Sequence, residues 1–382
     1  MPVPSHLYHF LSFQQQIHPP SSTMQDPLAP GGELYWLVQS RYQMNCGINI
    51  EETLRIDLEH LKFEAMIGKC GYSVVFKGTY KSTPVAIKIV LPDLESELNS
   101  TWQERFGREV ALHSRSRHEN IVKFIGASLV PALMIITEFM GGGTLQKYLA
   151  DIHPNCLDLE LSVHYALEIS RAMTYLHAQG IIHRDLKPNN MLLSEDKKTV
   201  KITDFGLSRE EIVGDMSTEA GTYRWMAPEM FEVAGERNQK RYDHKVDVYS
   251  FSLVLWELLT NKIPFKGRCC MTAAYAAVTQ NARPSTDNIP KEIVPLLVSC
   301  WAADPADRPE FIEIKCFLEN FIHYLWTPDT SPLRMITIGH ANEPSAVGEC
   351  EFTSHGMQNP NGVGAKARSA AGRFIRCFGS CA

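Results

Sequence analysis

The run Ile182-His183-Arg184-Asp185-Leu186-Lys187-Pro188-Asn189-Asn190, followed after a short apolar stretch by Asp204-Phe205-Gly206, limits what this chain can fold into more than any other feature. An Asp, a Lys and an Asn at these offsets, with a second Asp beyond them, are able to meet around one nucleoside triphosphate. The pattern predicts Asp185 as acceptor of a hydroxyl proton and Lys187 as the charge offsetting a moving phosphoryl group. Asn190 and Asp204 are then the expected magnesium ligands. A fold carrying this set must bring a loop and a strand end together at one cleft.

The 382 residues are enough for one large bilobal unit or for more than one domain, and 44% hydrophobic content supports a substantial core. A formal net charge of -6 gives no general basic field for nucleic acid or an anionic membrane. The 10 cysteines are scattered and form no paired Cys-x-x-Cys groups at zinc-ribbon spacing, so reduced thiols in a cytoplasmic or nuclear protein are expected. His6 to Phe13 is mildly apolar but lacks the basic flank and cleavage site of a signal peptide. No stretch approaches the roughly 18 to 20 apolar residues of a spanning helix. Pro2 stands where myristoylation needs Gly, and the terminal Gly379-Ser380-Cys381-Ala382 is not a prenylation box.

Residues 1–55, rich in Pro, Gln, Ser and Gly, read as a flexible leader. Five β-branched and apolar runs then predict strands at Phe63 to Ile67, Ser73 to Lys77, Pro84 to Val90, Ile121 to Ile125 and Leu133 to Glu138. A helix is expected between the third and fourth, over Thr101 to Ser114, where Trp102, Phe106, Val110 and His113 recur at helical spacing. After Gly141-Gly142-Gly143, helical periodicity takes over at Leu161 to Ala178, Lys245 to Thr260, Ile293 to Trp301 and Phe311 to Leu325. This gives a domain over about 56–325, with a small lobe to about 140 and a larger α-rich lobe from about 141. Residues 326–382 are expected to be a disordered tail.

Ile67-Gly68-Lys69-Cys70-Gly71-Tyr72-Ser73-Val74-Val75 lies where a glycine-rich loop would cover phosphates, with Cys70 and Ser73 at two positions that favour glycine. A plain turn between strands fits that loop as well as a nucleotide cover does. Val85-Ala86-Ile87-Lys88 supplies a lysine for the α- and β-phosphates. Glu109 on the following helix is its expected partner, with Glu104 the competitor. Thr137, Glu138 and Met140 fall at the back and edge of an adenine slot, and Val75, Ala86 and Leu192 are expected to sandwich the ring. Glu229 with Arg308, and Asp247, read as scaffolding. Thr222 is intermediate, able to support Asp185 and Lys187.

With Arg117-His118-Glu119-Asn120, Ala227-Pro228-Glu229 and Asp307-Arg308-Pro309 also in order, the chain resembles protein kinases over roughly Leu61 to Tyr324. Lys187 after His-Arg-Asp-Leu is similar to the serine/threonine class. Gly221-Thr222-Tyr223-Arg224-Trp225-Met226 and Tyr249-Ser250-Phe251 resemble the tyrosine-kinase-like group. Together with Phe124-Ile125-Gly126-Ala127 and Ala274-Tyr275-Ala276-Ala277, the nearest likeness is to plant Raf-like kinases of the mitogen-activated protein kinase kinase kinase type. The resemblance implies an α+β bilobal fold, with a small antiparallel β-rich N-lobe holding one key helix and a larger α-helical C-lobe. It also implies ATP, Mg2+ and protein substrates with Ser/Thr acceptors, in a signalling role.

Three departures stand out: Cys70, Ser73, and His113 in place of an apolar residue beside the Phe of Asp-Phe-Gly. They support reduced or pH-sensitive activity as an expectation, and a pseudokinase scaffold as the alternative function. Dual-specificity Ser/Thr/Tyr transfer is a further alternative. Ser217 and Thr218 are expected phosphorylation sites for an upstream kinase or for autophosphorylation, with Arg184 to pair the added charge. Lys366, Arg368, Arg373 and Arg376 ahead of Cys377 and Cys381 raise acylation and peripheral membrane contact, against the plainer reading of a solvated tail.

Overall fold

The computed structural model describes residues 50–70, 73–91, 99–206, 209–210, 222–231 and 242–326. Gly71, Tyr72, Ser217, Thr218 and the basic, cysteine-bearing tail lie outside them.

The small lobe is built on strands β1 (Leu61–Cys70), β2 (Ser73–Tyr80), β3 (Thr83–Val90), β4 (Phe124–Ser128) and β5 (Met134–Glu138), with helix α1 (Asn99–Arg115) between β3 and β4. The strands form one antiparallel sheet in the order β1-β2-β3-β5-β4. Alternation along β3 explains its two faces. Val85, Ile87 and Ile89 are fully buried against Val74, Met134 and Ile136, which leaves Ala86 and Lys88 on the opposite face. Lys81 and Ser82 join β2 to β3 with both residues at positive φ, the backbone hand that matches strand twist in a two-residue hairpin. Gly78 of β2 is required sterically: a Cβ there would stand 2.2 Å from the Lys62 carbonyl oxygen of β1.

Two expectations shift. The fourth strand begins at Phe124, three residues later than the apolar run suggested. Ile121 and Val122 are buried as their character demands, but their backbone partner is Ile202 of the large lobe. Ile50 and Leu54, assigned to the leader, pack with Val90, Phe106 and Val110, so the small lobe already recruits residues ahead of 56.

In the large lobe, strand β6 (Gly143–Thr144), helices α2 (Leu145–Ile152) and α3 (Leu159–Ala178), and strands β7 (Ile181–Ile182), β8 (Met191–Leu193) and β9 (Val200–Ile202) lead to the cleft. Helices α4 (Lys245–Thr260), α5 (Cys270–Thr279), α6 (Val294–Cys300) and α7 (Phe311–Trp326) complete it. Asp158 caps α3 by accepting the Leu161 amide at 2.7 Å, and Thr144 caps α2 through the Lys147 amide. α4 is apolar nearly all round and buried along almost its whole length, the signature of a central core helix. α2 and α5 had no counterpart among the expected helices. α2 is only two turns long, and the alanines of α5 give a weak apolar stripe.

Candidate active site

Strand register assembles the upper wall of the cleft. Val75 lies directly opposite Lys88, and Ala86 directly opposite Thr137, so these four share the face turned away from the small-lobe core. Leu192, between buried Met191 and Leu193, is the half-buried residue of β8. Val74 is 1% exposed, with its side chain inside the small-lobe core. Gly68 and Lys69 continue the ladder opposite Val75 and Val74, and Cys70 pairs with Ser73. Ile67 and Lys69 are exposed on the same strand.

Lys88 Nζ donates to Glu109 Oε1 at 2.8 Å and to Asp204 Oδ1 at 2.9 Å, uniting β3, α1 and the end of β9 around one ammonium. Glu109, the expected partner over Glu104, is thus the one engaged. Burial favours the neutral amine, but the Asp204 and Glu109 carboxylates outweigh it and hold Lys88 above the usual lysine range. Burial likewise works against the Asp204 anion, and the Lys88 ammonium overrides it, keeping this carboxyl well below the ordinary aspartate value. Asp204 sits at φ 69°, in the left-handed region, and its Oδ1 also accepts the Gly206 amide at 3.2 Å. A side chain at 206 would crowd that oxygen, since a Cβ would lie 3.1 Å from it.

The opposite wall centres on Asp185. Its Oδ2 accepts from Lys187 Nζ and from Asn190 Nδ2, both at 2.7 Å, and Asn190 Nδ2 also meets the Asp185 carbonyl at 2.9 Å. Among the described residues, its other oxygen, Oδ1, is buried without a hydrogen-bond partner. An orphaned carboxylate oxygen in a buried site is costly and marks where a donor belongs. Burial raises the Asp185 carboxyl above its ordinary value, and the Lys187 ammonium opposes the rise.

The scaffold beneath is continuous. Asp247, fully buried on α4, accepts the backbone amides of His183 at 2.8 Å and Arg184 at 2.7 Å. These bonds hold Arg184 at φ 70° and present Asp185. Phe205, fully buried, stacks on His113 with ring centroids 4.7 Å apart and approaches His183 at 5.7 Å. His113 is therefore a core residue. Its Nε2–H donates to the Val122 carbonyl at 2.6 Å, and burial lowers its pKa to about 4, so it is neutral at physiological pH. The expected pH sensitivity through His113 loses its basis near neutrality. Arg308, 1% exposed, makes a two-point ion pair with Glu229 at 2.5 and 2.9 Å. Thr222 begins a single 3-10 turn ahead of Trp225.

Sequence reasoning placed Glu138 at the adenine edge by its backbone and missed what its side chain does. Glu138 Oε1 accepts from the Lys123 amide at 2.7 Å and from Lys201 Nζ at 2.8 Å, tying β5 to β9 across the lobes. His177, which donates to Asp247 Oδ2 at 2.8 Å, was also unforeseen. A histidine late in an amphipathic helix carries no local signal of a partner seventy residues away.

Residues 61–318 match the family described as protein tyrosine and serine/threonine kinase. The serine/threonine/tyrosine-protein kinase HT1 of Arabidopsis thaliana is 42% identical over 272 residues, covering 69% of this chain and 67% of that protein. Serine/threonine-protein kinase STY17 of the same plant is 42% identical over 273 residues, with 70% of this chain and 45% of that protein aligned. Human mitogen-activated protein kinase kinase kinase 11 is 36% identical over 275 residues, 68% of this chain and 31% of that protein. The chain thus spans about two thirds of the first relative and under half of the other two. The bilobal fold, the assembled cleft and these relatives bear out the resemblance read from the sequence: the chain belongs to the protein tyrosine and serine/threonine kinase family, among its Raf-like, tyrosine-kinase-like members.

Proposed function

We propose that this chain transfers the γ-phosphoryl group of ATP to Ser and Thr hydroxyls of protein substrates, as a Raf-like signalling kinase of the cytoplasm. The observation that carries the reading is the Asp185 carboxylate: one oxygen fixed by Lys187 and Asn190, the other buried and open to a donor. A substrate hydroxyl in that position donates to Oδ1 and becomes the nucleophile as its proton leaves. Lys187, 2.7 Å from the same carboxylate, lies where negative charge accumulates on the transferred group. Lys88 contacts the α- and β-phosphates, steadied by Glu109. The purine lies between Val75, Ala86 and Leu192, with Thr137 behind it and the backbone of Glu138 to Met140 along its edge.

The donor set suits a hard divalent ion. Asp204 stays ionised, and the Asn190 amide nitrogen is committed to Asp185, which leaves its carbonyl oxygen as the free end of that group. Magnesium held there by Asn190 and Asp204 would neutralise the β- and γ-phosphate oxygens.

A second reading is favoured by one relative, which is named as a serine/threonine/tyrosine kinase: tyrosine hydroxyls are accepted as well. The pseudokinase alternative has less support, because Lys88 bonds both Glu109 and Asp204, and Asp185 bonds Asn190. Phosphorylation of Ser217 or Thr218 as an activating event is part of the same proposal, whereas for the Cys377 and Cys381 tail the plainer reading of a solvated segment is preferred over membrane contact. Peptide-array phosphorylation with labelled ATP, mapped by mass spectrometry, tests activity and acceptor choice together. Wild type and Asp185→Asn giving equal, background transfer would leave only the scaffold function.

A further inference from the structure

Behind the catalytic loop, three side chains from three separate segments converge without any part in the chemistry above. His177 lies on the last turns of α3, His244 immediately precedes α4, and Glu310 immediately precedes α7. One donor atom from each lies within 4.8 Å of the others. The two imidazoles meet edge to face at 5.1 Å, and His244 Nε2 is 2.9 and 3.2 Å from the Glu310 oxygens. His177 supplies the second observation. Its side chain is 9% exposed, its Nε2 is committed to Asp247, and its Nδ1 is buried with no hydrogen-bond partner among the described residues. A buried ring nitrogen left in that condition is destabilising in either protonation state, unless a ligand atom completes it.

We propose that His177, His244 and Glu310 form a zinc-binding site. Two imidazole nitrogens with one carboxylate are the donor set of zinc centres with a fourth, water-occupied position, and they disfavour magnesium and calcium, which take oxygen. His177 is already poised for the role: Nε2–H on Asp247 fixes the tautomer that leaves the Nδ1 lone pair for a metal, the outer-shell carboxylate arrangement that supports metal-bound histidines. Bonds of about 2.0 to 2.1 Å in a tetrahedron bring donors to about 3.3 Å apart. Rotation of His244 and Glu310, whose side chains are 26% and 44% exposed, supplies that closure. Lys245 Nζ, 2.7 Å from Glu310 Oε1, is the cation that zinc must share this carboxylate with. Asp247 also accepts the His183 and Arg184 amides, so a single hydrogen-bonded carboxylate separates the metal from the catalytic loop.

The test uses the full chain, stripped with a chelator and titrated with zinc chloride against a chromophoric competitor, then with cobalt(II) as a spectroscopic substitute. Because the chain holds 10 cysteines and 14 histidines, the comparison with His244→Ala and Glu310→Gln isolates this site. Both positions are partly solvent-accessible, and metal-free unfolding midpoints identify any variant that has lost its fold, leaving the other to decide. The expected result is one high-affinity site, with tetrahedral cobalt absorption free of thiolate charge transfer, weakened at least about tenfold in each folded variant. Zinc should raise the unfolding midpoint of wild type and not of the variants. A folded variant that binds as tightly as wild type, a cobalt spectrum dominated by thiolate bands, or no high-affinity binding at all would overturn the assignment.

Discussion

Asp185 carries the sharpest consequences at the scale of single residues. Replacing it with Asn keeps the shape and removes the proposed proton acceptor, and kcat should fall by about 10²- to 10⁴-fold in a steady-state assay. Burial already raises this carboxyl and Lys187 opposes the rise, so Lys187→Ala should move the acid limb of the kcat/KM profile to higher pH. An unmoved limb would separate Lys187 from the aspartate's ionisation. His113 acts on stability instead. With a folded pKa of about 4 against an ordinary 6.5, the unfolded chain binds the extra proton between those values. Wild type should therefore be fully stable above about pH 6.5 and lose stability relative to His113→Leu as pH falls toward 4, by roughly 3 kcal/mol at most. Denaturant midpoints of the two proteins across that range decide it. That Asp185, Lys187 and Asn190 meet was legible because they are clustered in sequence. The neutrality of His113 was not, since it depends on Val122 and Phe205 arriving from other segments.

Among elements, the strands were readable wherever apolar and polar residues alternate, and the misplacement of β4 has a physical origin. Ile121 and Val122 look like strand residues and are buried like them, but the segment pairs with β9: the Val122 amide donates to the Ile202 carbonyl and the Ile202 amide to the Asn120 carbonyl. A periodicity argument detects burial and cannot say which lobe provides it. The same limit hid α5, whose alanines bury little surface per turn. β2 offers a clean test of backbone contact. Gly78→Ala would press a methyl group onto the Lys62 carbonyl and the Ile87 side chain, and should cost about 1–3 kcal/mol in urea unfolding. Full stability in that variant would show that β1 can yield.

For the molecule as a whole, Arg308 links the segment ahead of α7 to Glu229 and to the backbone of Lys245 and Ala302. Arg308→Ala strands the partly buried Glu229 carboxylate and two carbonyls, and a loss of up to about 3–5 kcal/mol is expected by chemical denaturation. This pair was foreseen as scaffolding from two distant motifs. The Glu138 tether was not, because its partners Lys123 and Lys201 belong to no motif. That tether has a practical outcome. Ile202, next to Lys201 on β9, lies only two residues before Asp204, so a nucleotide analogue bulky enough to spread the lobes pulls on the carboxylate that the analogue's own phosphates require. Amide exchange across residues 200–206 would then report inhibitor girth, even for compounds that never reach the phosphate end of the groove.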